Sequence, residues 1–332
     1  MIRSLFLTVL LTGFLPAQFA SRSFAEKVAP VTDPAKADAD FAFQGEYVGE
    51  MNGASGPKKF GVQVIALGDG KFHAVAYKDG LPGDGGVRND KNDGDGELKD
   101  GAVVLTSKQG EFGTIKNSVL SVNGPNGKTL GEFKKVERQS PTIGAKPPEG
   151  AIVLFDGKSG DKFNGGKGKV EDGLLVPRAD SNLKYQNCTL HVEFRLPYMP
   201  HDRGQGRANS GVYLQGRYET QVLDSFGLKG ENNECGAIYE LHAPLVNMCY
   251  PPLAWQTYDI DFTAAKYDAA GKKTENARIT VKHNGVLVQD NVEISRATRA
   301  SPVMEGPEPG PLHLQDHGNP IRFRNIWIVE KK

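Results

Sequence analysis

Short runs of alternating apolar and polar residues make up most of the chain, separated by clusters of Gly, Asn and Asp. Alternation with a period of two turns one strand face inward and the other outward. In the first half it predicts strands over Gly45–Glu50, Gly61–Ala66, Lys71–Tyr77, Ala102–Thr106 and Ser118–Val122, punctuated by Gly68-Asp69-Gly70, Asp79-Gly80 and Asn126-Gly127. In the second half, Leu190–Leu196 sets Leu, Val, Phe and Leu against His191, Glu193 and Arg195. Further strands are predicted over Ser210–Leu214, Tyr218–Leu223, Gln256–Phe262, Ala277–His283 and Arg322–Val329, with a hairpin turn at His283-Asn284-Gly285-Val286. No helix-period segment of useful length and no internal repeat occurs. The fold class is therefore all-β. Residues 41–136 form a smaller β domain, a small antiparallel sheet or sandwich. Residues 137–149, with Pro141, Pro147 and Pro148, read as a linker. Residues 150–332 form a sandwich or jelly roll.

The chain's start changes the picture of where the protein works. Arg3, the apolar run Leu5–Leu15, and Ser23 and Ala25 before a cleavage point make residues 1–25 a secretory signal peptide, with residues 26–40 a flexible lead-in. The apolar run is short for a membrane span, and no later stretch is long and apolar enough. The expected location is secreted or periplasmic. Forty basic and forty acidic residues cancel, so nothing marks a nucleic-acid or anionic-membrane partner. Of three cysteines, Cys235 and Cys249 are the candidates for a disulfide, and Cys188 reads as a buried thiol. The acidic stretch from Asp90 to Glu97 departs from an EF-hand loop, with Gly94 at a ligand place, and reads as solvated.

Two stretches carry chemistry. In Asn209–Ser225 two strands meet near Gln215-Gly216. Arg217, Glu219 and Gln221 share one face of the second strand, and a bulge after Val222 would return Asp224 to it. The spacing Glu219-x-Gln221-x-x-Asp224 is similar to the Glu-x-Asp-x-x-Glu of laminarinase- and lichenase-type jelly rolls. Gln221 and Asp224 both depart from that pattern, which argues against a two-carboxylate glycosidase. In Leu312–Ile328, His313, Gln315 and His317 lie on one side of a strand, and Arg322 begins the last one. Asp316 and His317 are the candidates for a divalent metal, or His317 belongs to an acid–base pair.

The runs Leu154-Phe155-Asp156-Gly157, Asn209–Tyr213, Tyr218–Asp224, Cys235–Tyr239, Trp255–Asp259 and Leu314–Trp327, in that order, make residues 149–331 resemble the 3-keto-disaccharide hydrolase family. The resemblance implies a concanavalin-like jelly roll acting on an oligosaccharide or glycoside oxidised at sugar carbon 3. A C3 ketone acidifies the C2 hydrogen. A base can remove it, the C1 substituent leaves, and water can add afterwards. On that reading Glu219 is the general base and His317 the acid or a second base. Asp224 orients a partner or holds a metal. Arg217, Gln221, Glu193, Asn209, His313, Gln315 and Arg322 bind substrate. Trp255 and Trp327 read as core rather than as sugar-stacking residues. The rival readings are a non-catalytic carbohydrate-binding module, an ordinary glycosidase and a structural exported protein.

Overall fold

A computed structural model describes residues 28–53, 56–88, 93–108, 110–124 and 126–331; the predicted signal segment lies outside them. Helix among these is confined to 3₁₀ turns of three or four residues at Pro34–Lys36, Ala39–Ala42 and Gly204–Gly206.

The first half is a closed barrel rather than an open sheet or sandwich. Its strands are β1 (Gly45–Gly53), β2 (Gly56–Gly68), β3 (Lys71–Lys78), β4 (Val87–Arg88), β5 (Gly94–Lys99), β6 (Ala102–Ser107), β7 (Gly110–Lys116), β8 (Val119–Asn123) and β9 (Thr129–Val136). Leaving aside β4, a short addition to β3, each strand pairs antiparallel with the next, and β9 returns to β1. Closure removes the exposed edges an open sheet would carry. Strands β5, β7 and β9 escape the alternation pattern because glycines interrupt them. Gly96 has a packing reason: a Cβ there would meet Leu105 and Val103 side-chain carbons at 2.8 and 2.9 Å. Of the acidic stretch, Asp93 pairs with Arg88 and Asp95 with His73.

The second half holds β10 (Ile152–Phe155), β11 (Val170–Glu171), β12 (Leu174–Leu175), β13 (Ala179–Tyr185), β14 (Asn187–Arg195), β15 (Ser210–Leu214), β16 (Tyr218–Val222), β17 (Trp255–Thr263), β18 (Lys266–Tyr267), β19 (Lys273–Glu275), β20 (Ala277–His283), β21 (Val286–Ile294), β22 (Gly310–Leu314) and β23 (Arg322–Lys331). One sheet runs β11-β12-β23-β14-β17-β20-β21, with β10 also on β23. The other runs β13-β22-β15-β16. Leu190, Val192 and Phe194 from the first sheet meet Val212, Leu214 and Leu314 from the second in one core. This is the jelly-roll sandwich. The β20–β21 turn has Asn284 and Gly285 at φ 51° and 78°, the left-handed pair a tight hairpin requires.

The barrel is packed onto the sandwich. Ile65, Val75 and Tyr77, from the outer faces of β2 and β3, join the sandwich core. Residues 28–40 are tied down: Val31 and Tyr198 exchange backbone hydrogen bonds, and the Tyr198 hydroxyl donates to Asp38. Residues 137–149 form a strap across the larger sheet's outer face. There the Gly144 N–H donates to Glu193 at 2.6 Å, and the Thr142 hydroxyl donates to Asp259 at 2.7 Å.

All three cysteines are free and buried, and the Cys235 and Cys249 thiols lie beside each other. Cys235 Sγ lies 3.1 Å from the Tyr258 hydroxyl, and Cys249 Sγ points at the Leu223 and Tyr250 carbonyls.

Where strap and barrel meet, Arg138 donates to the Glu46 carboxylate at 2.7 and 2.5 Å and to the Pro82 carbonyl, and it stacks on Tyr250. Glu46 is 1% exposed. Arg138→Ala strands that charge and is expected to lower stability by about 3–5 kcal/mol in chemical denaturation, with Glu46→Gln in the same chain recovering most of the loss.

Candidate active site

The outer face of the smaller sheet carries the site. Gln215, Gly216 and Arg217 form the three-residue turn joining β15 to β16, with Gln215 and Gly216 at φ 54° and 64° and the Arg217 N–H donating to the Leu214 carbonyl. That turn sets Tyr213 opposite Glu219 and Gly211 opposite Gln221. Across the sheet Tyr213 also lies opposite His313, and His313 opposite Asp180. Residues opposite one another share a face, so Glu219, Tyr213, His313 and Asp180 form one row across four strands.

The row is bonded along its length. The Tyr213 hydroxyl donates to Glu219 Oε2 at 2.7 Å and receives the Gln315 amide at 3.0 Å. His313 meets the Tyr213 ring edge-on at 5.2 Å and bonds Asp180 through Nδ1 at 2.7 Å. Glu219 Oε1 lies over Gly211, where a Cβ would come within 2.2 Å of it. Glycine thus makes the room the carboxyl occupies. Burial pushes the Glu219 carboxyl up to about 8; the Tyr213 hydrogen bond works against the rise, and Glu240 adds to it. Burial, with Glu219 alongside, likewise drives the Tyr213 phenol well above its usual range and keeps it a neutral donor. Around these groups Gln315, His313, Tyr239 and Glu240 are half-exposed.

Several expected site residues do other work. Glu193 and Arg322 lie on the larger sheet, apart from Glu219. Glu193 is held by Arg324 at 2.6 Å and Asn325 at 2.8 Å beneath the strap. Burial raises its pKa, but hydrogen bonds from His191, Asn325, Arg324 and the Gly144 N–H outweigh that and leave it at about 2. Arg322 pairs with Glu171. Strand β16 ends at Val222 without the expected bulge. Asp224, beyond it, is a buried partner of Arg207 at 2.5 Å and caps the Phe226 N–H. Arg217 spends its guanidinium on the Met304 and Glu308 carbonyls and on Gln215.

Gln221 and Asn209 both meet Gln205 and stay on the site's side of the sheet. Because β22 ends at Leu314, Asp316 and His317 fall in an exposed turn. Asp316 pairs there with Arg178. Among the described residues no three His, Cys, Asp or Glu groups converge as a metal would require, so the residues do not fit the expected divalent ion. Trp327 stacks on His191, and Trp255 lies under Arg324, both on the larger sheet.

Tyr213 was missed as a functional group, although its signal is in the sequence: it shares the phase of Gly211, opposite to Val212 and Leu214. Thr298, whose hydroxyl receives the Glu219 N–H at 3.0 Å, and Glu240 come from distant loops that carry no local signal.

The smaller sheet of this jelly roll thus carries a buried carboxyl, bonded to a phenol, on its outer face. The sequence pattern of the 3-keto-alpha-glucoside-1,2-lyase-like domain matches residues 150–329, more than half of the chain, and the chain belongs to that family. A solved Parabacteroides distasonis protein described as a "putative glycosyl hydrolase" is 34% identical; the match covers 55% of this chain and 85% of that one, with a TM-score of 0.50. A second such protein from that organism is 24% identical over 55% of this chain and 95% of its own, with a TM-score of 0.40. A search of curated proteins finds no match. Family and neighbour together make this a glycosyl hydrolase-like enzyme.

A carboxyl that titrates near 8 when folded, and near 4.5 when free, holds a proton through that window which the unfolded chain has lost. Stability is therefore fully present below the lower value and falls as pH rises through the higher one. Glu219→Gln removes this dependence. Its melting temperature is expected to exceed that of the parent at pH 8.5 and to converge with it at pH 5, by calorimetry at both.

Proposed function

We propose that this is an exported enzyme that cleaves 3-keto-glycosides, with Glu219 removing the proton from C2. The observation that carries the reading is the Glu219 carboxyl: buried, bonded to Tyr213, and titrating near 8. A group poised near neutral pH suits proton transfer from carbon. The C2–H electrons pass into the enolate of the C3 ketone, the C1–O bond breaks, and a C1=C2 double bond forms. The departing oxygen takes a proton. Water added across that bond completes a net hydrolysis.

The chain's own groups have matching roles. Gln315 holds the Tyr213 hydroxyl, which donates to Glu219 and fixes its orientation. His313, backed by Asp180 and lying against Tyr213, takes over the acid role first given to His317. This chemistry needs one base and one acid rather than two carboxylates flanking C1. Asp224, committed to Arg207, offers no second carboxylate for an ordinary glycosidase. The proposal of export rests on the apolar segment near Met1.

Purified protein should release the aglycone from a 3-keto-glucoside and leave the parent glucoside intact. Equal release from both would overturn the reading. Glu219→Gln should reduce release by a factor of about 1,000 or more with folding retained. For the parent enzyme kcat/KM should rise with pH through about 8, because the base acts only when deprotonated. A profile falling through that value would make Glu219 the acid instead.

A further inference from the structure

We propose that the N-terminal barrel is a binding site for one neutral, largely apolar small molecule. An eight-stranded barrel is wide enough either to be filled by its own side chains or to hold one such ligand. Here it does both, at opposite ends. The end near Phe43 is packed solid: Tyr47, Val64, Phe72, Val103, Leu105 and Ile115 are at most 1% exposed, and the Phe43 ring closes on Phe72 at 6.0 Å. The other end holds a cavity of about 300 Å³.

The sequence creates that space. Along β3 the inward residues after Phe72 are Ala74 and Ala76, and the facing strand β5 opens with Gly94. Three small residues stand where a filled barrel would carry branched or aromatic ones. A Cβ on Gly94 would meet the Phe112 ring at 2.5 Å, so glycine lets that ring fold over the strand and form a wall.

The lining sets the ligand's chemistry. Met51, Phe60, Phe112, Leu130 and Phe133 present carbon and sulfur to the space, and all but Phe133 are left half-exposed. Among the described residues no Lys, Arg or His lines it, so its described lining offers nothing to neutralise an anion. Among the described residues Glu111 is its one charge, and Ser107 and Asn123 are its other polar side chains, enough to meet a single hydroxyl. An apolar cavity of about 150 Å³ stays dry and takes benzene; this one is about twice that, the size of a fused bicyclic ring or a phenyl-alkyl chain. A ligand of that kind gains by burying apolar area against the wall.

The test uses the full chain with N-phenyl-1-naphthylamine, a neutral dye that brightens in apolar surroundings. One dye per chain should bind, and the sulfonated, anionic analogue should bind about tenfold more weakly or worse. Ala76→Phe, which fills the space, should weaken dye binding about tenfold or more with the thermal melt retained. With methyl-labelled methionine, dye should shift the Met51 resonance and leave that of Met304, which is 88% exposed, in place. The Met51 readout needs no variant, so it decides the matter even if Ala76→Phe fails to fold. No dye binding, binding unchanged by Ala76→Phe in a folded chain, or an unmoved Met51 signal would each overturn the proposal.

Discussion

Strand register on the smaller sheet is the constraint on which the site depends. Side chains alternate with period two, so sliding β16 by one residue against β15 would send Glu219 into the core and bring Tyr218 and Thr220 to the outer face. The turn at Gln215-Gly216-Arg217 prevents this, because a short loop with two left-handed residues, closed by the Arg217 N–H on the Leu214 carbonyl, holds one alignment of the strands it joins. A second lock comes from the core: Tyr218 and Val222 are buried in the hydrophobic cluster with Val212 and Leu214 and would be expelled by the same slip. Turn and core thus fix a carboxyl, a phenol and an imidazole in one row, although each alone would prefer water. The cost of burying Glu219 is met by the surrounding structure, which leaves the proton as the group's main freedom.

The larger sheet shows how a jelly roll closes a polar face that it does not use. His191, Glu193 and Asp259 occupy its outer surface, where a charged row could have passed for a second site. The strap covers them and bonds to this face group by group: the Gly144 N–H donates to Glu193, the Thr142 hydroxyl donates to Asp259, and the Ala145 carbonyl accepts from Asn325 and Trp327. Burial drives the His191 pKa down, but its hydrogen bonds to the Asp259 and Glu193 carboxylates outweigh that and raise the net value. These groups are fully committed to one another, whereas the Glu219 row keeps half-exposed neighbours. That contrast separates a structural charge cluster from a candidate catalytic one better than residue type does.

The same contrast marks how far the sequence could be read. The alternation in Leu190–Leu196 and the turns at Asn284-Gly285 and Gln215-Gly216 are local, and each appears where the pattern places it. The face shared by Glu219 and Gln221 is local as well. Glu193 looked equivalent to Glu219 because alternation distinguishes in from out but does not reveal which sheet a strand joins, or what later covers it. Asp224 was misread for a related reason: a bulge and a strand end look alike in sequence, and Arg207 claims the carboxylate from a segment before β15. The barrel was missed because glycines that permit tight curvature also erase the alternation that reveals a strand.

The elevated titration of Glu219 bears on the order of events in the proposed reaction. At neutral pH the resting carboxyl is mostly protonated, so the base form is a minority that substrate must meet or create. A C3 ketone needs no anion in order to bind, and a neutral carboxyl avoids an unpaired charge in a dry site while the site is empty. The desolvation that raises the pKa also strengthens the base once it is ionised, since a carboxylate poorly solvated by its surroundings regains most by taking up the C2 proton. The Tyr213 hydroxyl tempers this by donating to Oε2, while Oε1 sits in the gap above Gly211. The missing side chain at Gly211 therefore serves packing and chemistry through the same gap.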